Sequence, residues 1–313
     1  MKIAFIGAGH WHLPCYLKPS LAAGHSCVLL DENTELMRIK AESANCEYRS
    51  GVRDLLSEDF DFAFVLGRHD LMPEYISMCI DREIPFMAEK PGALLPETLT
   101  GLAKRADDIK LFSAAPFQMR LEEPPLRVKE LITSGRLGRV ARIGMTWFAG
   151  PAGRYINWKC PWVLEKDKAG GGWLYNLGVH LIDLLYFWGF GAEYHSGMMS
   201  GNINKGQIDD ASTLLLKAGD DCYAVIEGGY CAGALHDGYS ITIIGEKGSV
   251  EYSYGKMREI IDGKTEVYDM PMRDARTELV NLLFEQLKSG AMPEVGLYDM
   301  VKTVIPVSEF YNN

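Results

Sequence analysis

The chain has 313 residues and a formal net charge of −10, with the apolar and charged fractions of an ordinary globular protein. Its length suggests about two domains, and its acidic balance argues against nucleic-acid or anionic-membrane partners, which need clustered Lys and Arg. Seven cysteines without a CxxC pair indicate reduced thiols, and no apolar run is long enough to span a bilayer. The first strand pattern starts at Lys2 and leaves no signal peptide in this sequence, so we expect a cytoplasmic protein.

Short apolar runs alternate with amphipathic stretches over about the first 115 residues. Buried strands are predicted at 2–7, 27–31, 62–67, 84–89 and 109–114, and helices at 12–23, 34–44, 72–81 and 97–106. Strands that alternate with helices predict a doubly wound parallel sheet, which is the Rossmann class of α/β fold. Asn33 and Asp70 each stand where a helix N-cap is expected.

The pattern changes in the second part of the chain. A helix is predicted at 125–134, a strand at 139–148 and a single helix at 173–188; strand–turn–strand patterns cover 211–230, 239–254 and 259–270. We therefore predict a dinucleotide-binding domain over 1–118 and an α+β domain with a mostly antiparallel open sheet over 119–313. Helical patterns at 277–289 and 297–310 are not assigned by pattern alone, so packing of the C-terminal helix on the first domain stays open.

A glycine loop follows the first strand. Gly7 and Gly9 take the first two positions of a GxGxxG fingerprint, where glycine permits a tight turn and close approach of a pyrophosphate. The third position is His12, whose bulk should push the helix off the sheet unless the register shifts. Asp31 ends the second strand, where a carboxylate binds the ribose hydroxyls of NAD; with Glu32 it would repel a 2′-phosphate, so NAD is favoured over NADP. A tight strand–helix turn without a ligand is the alternative.

The motif Glu89-Lys90-Pro91 stands at the carboxyl end of a predicted strand. In an open α/β sheet this edge faces the ligand crevice. Pro91 keeps Lys90 out of helical geometry and so fixes where its side chain leaves the strand. A surface lysine in a turn is the alternative, but the neighbouring glycine loop favours a functional lysine.

With these motifs in place, the chain resembles the Gfo/Idh/MocA family of NAD(P)-dependent oxidoreductases. The stretches LITSGRLGRV (131–140) and GGGWLYNLGVHLIDLL (170–185) extend the resemblance over nearly the whole chain. The resemblance implies a Rossmann domain followed by an α+β domain whose open sheet often forms a dimer face, and hence a homodimer or homotetramer. It also implies hydride transfer between nicotinamide and a carbinol carbon of a sugar, cyclitol or related small polyol.

By this resemblance the family's catalytic lysine falls on Lys90, and its Asp and His fall on Asn176 and His180. Asn176 can hydrogen-bond a hydroxyl but cannot take a proton or supply charge. Three interpretations stay open: Lys90 and His180 work alone while Asn176 positions substrate, the substrate brings its own charge, or catalysis has been lost or altered. A buried structural histidine is the alternative for His180, and Asp183 is expected to be structural.

Further contacts and functions are also predicted. Cofactor contacts are expected from Gly7, Gly9, His10, Trp11, Asp31, Gly67, Arg68, Glu89 and Lys90, and substrate contacts from Arg120, Arg154, Trp158, Trp162, Asn176 and His180. Arg68 fits a solvated loop equally well, and the tryptophans fit a core equally well. No residue grouping has metal-ligand spacing, so no metal is predicted. A non-catalytic NAD-binding sensor or scaffold, and an NAD-using lyase or glycosidase with transient oxidation, are the alternative functions.

Overall fold

The computed structural model describes residues 1–201, 203, 207–231 and 238–313, apart from the side chain of residue 56. These residues form two compact units. The first unit comprises 1–116, 155–170 and 276–301, and the second comprises 117–154, 171–275 and 302–313. The chain therefore first passes from one unit to the other after residue 116. Two later segments, 155–170 and 276–301, belong to the first unit.

The first unit contains a six-stranded parallel sheet. Its strands are β1 (Lys2–Ile6), β2 (Ser26–Leu30), β3 (Glu47–Arg49), β4 (Phe62–Val65), β5 (Phe86–Ala88) and β6 (Ser113–Ala114), in the order β3-β2-β1-β4-β5-β6. The central strands are almost wholly buried, as expected for parallel strands covered on both faces. The order reverses beside β1, so the carboxyl ends of β1 and β4 flank the point where this fold class binds ligands.

The second unit contains an eight-stranded sheet. Its strands are β7 (Val140–Phe148), β8 (Glu193–Ser200), β9 (Ala211–Lys217), β10 (Tyr223–Gly229), β11 (Ser240–Gly245), β12 (Gly248–Ser253), β13 (Lys256–Ile261) and β14 (Lys264–Asp269), in the order β14-β13-β12-β11-β7-β10-β9-β8. Of the strand pairs that the described residues form in this sheet, only β7–β10 is parallel. The predicted fold class, a Rossmann sheet with a mostly antiparallel second sheet, is confirmed.

The helices follow the amphipathic stretches. They are α1 (Leu13–Ala22), α2 (Thr34–Ala44), α3 (Met72–Asp81), α4 (Pro96–Asp108), α5 (Glu123–Thr133), α6 (Arg154–Asn157), α7 (Lys166–Ala169), α8 (Val179–Phe187), α9 (Arg276–Ser289) and α10 (Leu297–Asn312). The prediction of one helix over 173–188 is wrong in detail, because a π-helical turn at Leu174–Gly178 precedes α8. Within the described ranges, no helix is long and apolar enough to cross a membrane.

The two predicted helix caps have different outcomes. Asn33 caps α2, where its side chain accepts the backbone N–H of Leu36 at 3.1 Å. The predicted cap at Asp70 is wrong, because α3 starts after Leu71 without a side-chain cap. The Asp70 carboxylate instead accepts two hydrogen bonds from Arg68, a stronger charged partner than a backbone N–H.

Candidate active site

The glycine loop turns directly after β1, with Gly7 at φ +68°. A Cβ on Gly7 would lie 2.5 Å from the Cα of Gly67, so the loops after β1 and β4 approach too closely for any side chain here. The Gly9 N–H donates to Asp31 Oδ2 at 2.9 Å, and the Lys40 ammonium donates to the Gly9 carbonyl at 3.1 Å. The predicted ribose-binding carboxylate therefore lies beside the loop.

His12 fills the third fingerprint position and contacts a buried acid. Its Nδ1 lies 2.6 Å from Glu89 Oε1, and the Tyr16 hydroxyl donates to the same oxygen at 2.5 Å. The Lys90 backbone N–H donates to Glu89 Oε2 at 3.2 Å. Burial opposes ionisation of Glu89, but its interactions with His12 and Lys90 hold its pKa well below the ordinary value. Burial lowers the pKa of His12 to about 4, so a neutral imidazole donates to an ionised carboxylate.

Lys90 lies two residues past β5 and is 1% exposed. Burial lowers the pKa of its ammonium group to about 8; Arg276 acts in the same direction and Glu89 opposes. Arg276 begins α9, and its Nη2 lies 3.4 Å from His12 Nε2. A lysine with a pKa near working pH can exchange a proton with a hydroxyl group. The sequence carries no signal for Arg276, which reaches this cluster from a distant segment.

An aromatic cluster lies in the same unit. Trp11 stacks on His10 at 3.8 Å between ring centroids, and the Trp162 ring lies 5.6 Å from Trp11 and 5.0 Å from His69. His69 is 1% exposed and was not among the predicted site residues. Its position past the carboxyl end of β4 was the only sequence signal that could have identified it. Trp158, a predicted substrate contact, is 47% exposed.

Two of the predicted ligand-binding arginines form ion pairs within their own units. Arg68 donates to the Asp70 carboxylate at 3.0 and 2.6 Å in the first unit. Arg120 donates to the Asp183 carboxylate at 2.9 and 2.6 Å in the second unit, and Asp183 is 1% exposed. This bidentate pair anchors α8 and gives Asp183 the structural role that was expected.

The remaining predicted residues lie in the second unit. Asn176 is in the π-helical turn and His180 is in α8, and each is 2% exposed. The Asn176 amide donates to the Tyr230 hydroxyl at 2.8 Å, and the Arg154 guanidinium carbon lies 5.6 Å from the Tyr230 ring centroid. His180 packs edge-on against Phe117 at 5.7 Å. Tyr230 was missed, because its connection to Asn176 depends on tertiary packing.

The structure thus groups the predicted cofactor residues around the carboxyl ends of β1, β2, β4 and β5. Among the described residues, no group of three or more His, Cys, Asp and Glu side chains is arranged to hold a metal ion. The site therefore consists of a glycine loop, a carboxylate beside it, a buried lysine and three histidines. Burial lowers the pKa of these histidines, which are His10, His12 and His69.

The fold and this site define a class, namely two-domain proteins with a Rossmann sheet and a Glu-Lys-Pro motif. Residues 126–251 match the family model described as the GFO/IDH/MocA C-terminal domain. The chain is therefore similar to this family over 126–251, and the predicted resemblance is confirmed. No curated protein matches the sequence.

Several solved structures share the fold over nearly the whole chain. Levoglucosan dehydrogenase in complex with NADH and levoglucosan is 16% identical, with 98% of this chain and 95% of that chain covered and a TM-score of 0.84. Aldose-aldose oxidoreductase from Caulobacter crescentus, complexed with glycerol, is 18% identical over 100% and 96%, with a TM-score of 0.82. The WlbA dehydrogenase from Bordetella pertussis, in complex with NADH and UDP-GlcNAcA, is 18% identical over 99% and 95%, with a TM-score of 0.83.

Proposed function

We propose that the protein is an NAD-dependent oxidoreductase that transfers a hydride between nicotinamide and a carbinol carbon of a sugar, cyclitol or related small polyol. The observation that carries the proposal is Lys90, a buried lysine past the carboxyl end of β5 whose pKa is lowered to about 8. The family match supports it, and so do structural neighbours that bind NADH and sugars or polyols.

The loop residues fit a dinucleotide. Close approach of Gly7 to Gly67 leaves backbone rather than side chains at the loop surface, which suits a pyrophosphate. The Asp31 carboxylate suits ribose hydroxyls, and its charge disfavours a 2′-phosphate, so NAD is preferred over NADP. When bound, the nicotinamide ring accepts or donates the hydride. His10, Trp11 and Arg68 complete the proposed cofactor contacts.

Lys90 exchanges the hydroxyl proton in this proposal. In the oxidation direction the neutral amine takes the proton from the substrate hydroxyl, and in the reduction direction the ammonium returns it. Burial makes the neutral form accessible near pH 8. Glu89, which accepts hydrogen bonds from His12 and Tyr16, opposes that shift and so prevents the pKa of Lys90 from falling further.

Roles in the second unit are carried over from the family resemblance. We assign Asn176 to positioning a substrate hydroxyl and His180 to proton relay. Because Tyr230 accepts a hydrogen bond from the Asn176 amide nitrogen, the amide group has a fixed orientation. We assign Arg154, Trp158 and Trp162 to substrate contacts, and we assign Arg120 to holding α8 through Asp183.

The reaction is proposed to take place in a reducing compartment such as the cytoplasm. All seven cysteines lie within the described residues, and none forms a disulfide. Several of the thiols are buried, as expected for cysteines that serve as small apolar side chains.

The first experiment titrates the purified protein with NADH and NADPH by fluorescence. A panel of polyols, sugars and sugar acids is then scanned for absorbance change of the nicotinamide. We expect NADH to bind at least tenfold more tightly than NADPH, because Asp31 disfavours the extra phosphate. Tighter binding of NADPH would contradict the cofactor assignment. Tight NADH binding without turnover of any panel compound would favour the sensor or the lyase.

The role of Lys90 is tested by Lys90→Met, with the exposed helical residue Lys288 as the matched control in Lys288→Met. Lys90→Met should bind NADH normally and lower kcat by about 10²–10⁴-fold, the contribution typical of general acid–base catalysis. The control should keep full turnover. Equal turnover of Lys90→Met and the wild type would remove Lys90 from the mechanism.

A further inference from the structure

His69 is held in one tautomer. It follows β4, and its Nδ1 lies 2.9 Å from the carbonyl oxygen of Ala169. A carbonyl oxygen only accepts hydrogen bonds, so Nδ1 carries the proton and Nε2 of the neutral ring carries a lone pair. Trp162 packs edge-on against the ring, with 5.0 Å between centroids and 75° between planes, so the ring orientation is fixed.

The Nε2 atom of His69 is buried and has no hydrogen-bond partner within the described parts of the chain. Burial lowers the pKa of His69 to about 4, so near neutral pH the ring is uncharged and Nε2 stays an acceptor. The charge of Lys90 acts in the same direction, while the Ala169 carbonyl, Glu89 and Asp70 oppose. Buried polar atoms in native proteins nearly always have a partner, so this acceptor calls for a donor.

The surroundings identify the kind of donor. An imidazole lone pair repels carboxylate and phosphate oxygens, which also only accept, but it binds a hydroxyl. His10 offers the complementary group, because its Nδ1 accepts the His12 N–H at 3.1 Å and its proton therefore resides on Nε2. Both histidine rings lie against Trp162, with 6.0 Å between ring centroids for His10 and 5.0 Å for His69. A hydroxyl both donates and accepts, so it can donate to His69 Nε2 or accept from His10 Nε2.

We propose that His69 Nε2 accepts a hydrogen bond from a hydroxyl group of the bound ligand and so contributes to ligand specificity. The inference rests on the proposed function, because it takes the ligand to be a dinucleotide or its polyol substrate. The hydroxyl belongs either to a ribose of the dinucleotide or to the substrate. Both sources present the same chemistry to Nε2, and the experiment separates them.

The test compares His69→Asn with His69→Gln. An Asn amide nitrogen falls near the position of Nδ1 and can keep the bond to Ala169, but nothing replaces the Nε2 acceptor. The longer Gln side chain can return an oxygen to the Nε2 position. His195→Phe, at an exposed position of β8, is the control for histidine removal. Thermal melts establish that each variant is folded, and Kd is measured for AMP, ADP-ribose and NADH.

Each source predicts its own pattern for His69→Asn. Contact with the ribose next to nicotinamide weakens ADP-ribose and NADH by about 5- to 20-fold and leaves AMP unchanged. Contact with the adenosine ribose weakens all three ligands. Contact with the substrate changes no nucleotide affinity but lowers kcat/KM about 5- to 20-fold. In each case His69→Gln restores part of the loss. Wild-type affinities together with wild-type kcat/KM in His69→Asn would overturn the inference and leave the proposed function standing.

A second readout does not depend on activity. Protein labelled with ¹⁵N-histidine should show His69 protonated at Nδ1 and unprotonated at Nε2, assigned by the loss of its signals in His69→Asn. The Nε2 resonance should move upfield when NADH, or NADH with a panel polyol, saturates the protein. A proton on Nε2 in the free protein, or an Nε2 resonance unmoved by any of these ligands, would overturn the inference. Failure of the wild type to bind NADH would instead refute the proposed function and the inference with it.

Discussion

The ammonium group of Lys90 is buried, and its pKa of about 8 lies below the ordinary value of 10.5. Between these two pH values the unfolded chain binds a proton that the folded protein has released. The contribution of Lys90 to the free energy of unfolding therefore rises with pH across this window and is most unfavourable below about pH 8.

Lys90→Met should therefore stabilise the protein at pH 7 by about 3 kcal/mol while it lowers turnover, since methionine fills a similar volume without a charge. Urea unfolding at pH 7 and pH 10 measures the effect, and the gain should shrink at pH 10. Lys288→Met, which removes an exposed charge, should change little at either pH. A loss of stability at pH 7 in Lys90→Met would show that its charge interactions outweigh the cost of burial.

Single residues were predictable where strand ends were visible in the sequence. Gly7, Asp31 and Lys90 each follow an apolar run, and the carboxyl ends of parallel strands share one edge of a sheet. His69 and Arg276 were missed as site residues, because their roles depend on Ala169 and His12, which are remote in sequence. Local pattern carries no information on such partners.

At the scale of elements, the GGGWLYNLGVH stretch contains a helix type that the sequence pattern does not predict. The pattern predicts one helix over 173–188, but a π-helical turn at Leu174–Gly178 precedes α8. Asn176 lies in this turn and donates to Tyr230, whereas His180 lies in α8 and packs against Phe117. π-Helical turns often mark functional sites, and apolar periodicity does not reveal them.

Two strands were also missed. The strand β3 (Glu47–Arg49) has only three residues, too few to show a pattern. The strand β8 (Glu193–Ser200) is exposed at nearly every position, because it lies at the edge of its sheet and lacks the alternation of a half-buried strand. Both strands are recognised by their pairing with a neighbouring strand, β2 for β3 and β9 for β8, and not by a pattern in their own sequence.

Gly172 fixes the entry to the π-helical turn. Its N–H donates to Asp209 Oδ1 and to the Tyr311 hydroxyl, both at 2.8 Å, and a Cβ here would lie 2.3 Å from that carboxylate oxygen. Gly172→Ala should therefore displace the buried Asp209 carboxylate and destabilise the protein by about 2–4 kcal/mol. Gly101→Ala, in α4 with open space around it, should be neutral or stabilising by up to about 1 kcal/mol. Equal denaturation midpoints for the two variants would contradict this role.

The loops after β1 and β4 hold His10, His12 and His69 in the neutral form. Burial lowers the pKa of each, to about 4 for His12 and His69, against an ordinary value of 6.5. Between about pH 4 and 6.5 the unfolded chain binds more protons than the folded one. Stability should therefore fall as the pH drops through this window, by about 3 kcal/mol each for His12 and His69.

Urea unfolding at pH 7, 5.5 and 4.5 measures this acid sensitivity. His69→Asn should weaken the pH dependence of the free energy of unfolding, because one titrating group is gone. His195→Phe should leave this pH dependence unchanged. A wild-type stability that is constant from pH 7 to 4.5 would show that these histidines are not held neutral in the folded protein.

At the scale of the molecule, fold class follows from the change of pattern along the chain. Strand–helix alternation predicts the parallel sheet, and repeated strand–turn–strand segments predict the antiparallel one. The grouping of 155–170 and 276–301 with the first unit could not be predicted, since a short irregular stretch and an ordinary amphipathic helix carry no mark of the unit they join. The sequence therefore predicts that a parallel sheet precedes an antiparallel one, but it does not predict which unit each connecting segment belongs to.

The eight-stranded sheet presents one face that is only partly covered. Leu215, Val225, Gly144, Thr242 and Glu251 are successive register partners across five strands, and all of them are partly or fully exposed. The first four are uncharged, in a protein with a net charge of −10. This row carries one charged side chain in five, which suits the centre of a contact with a second copy, because interface cores are depleted in charged residues.

We therefore expect the protein to form a homodimer or homotetramer through this face, with about 800 Å² buried per copy at each interface. Val225→Arg places a charge in the middle of the row and should give a monomer in sedimentation velocity, since an unpaired buried cation opposes association. Ile39→Arg, which makes a similar change at an exposed position of α2, should keep the wild-type mass. A wild type that sediments as a monomer at micromolar concentration, or a Val225→Arg variant that keeps its mass, would exclude this face as the interface.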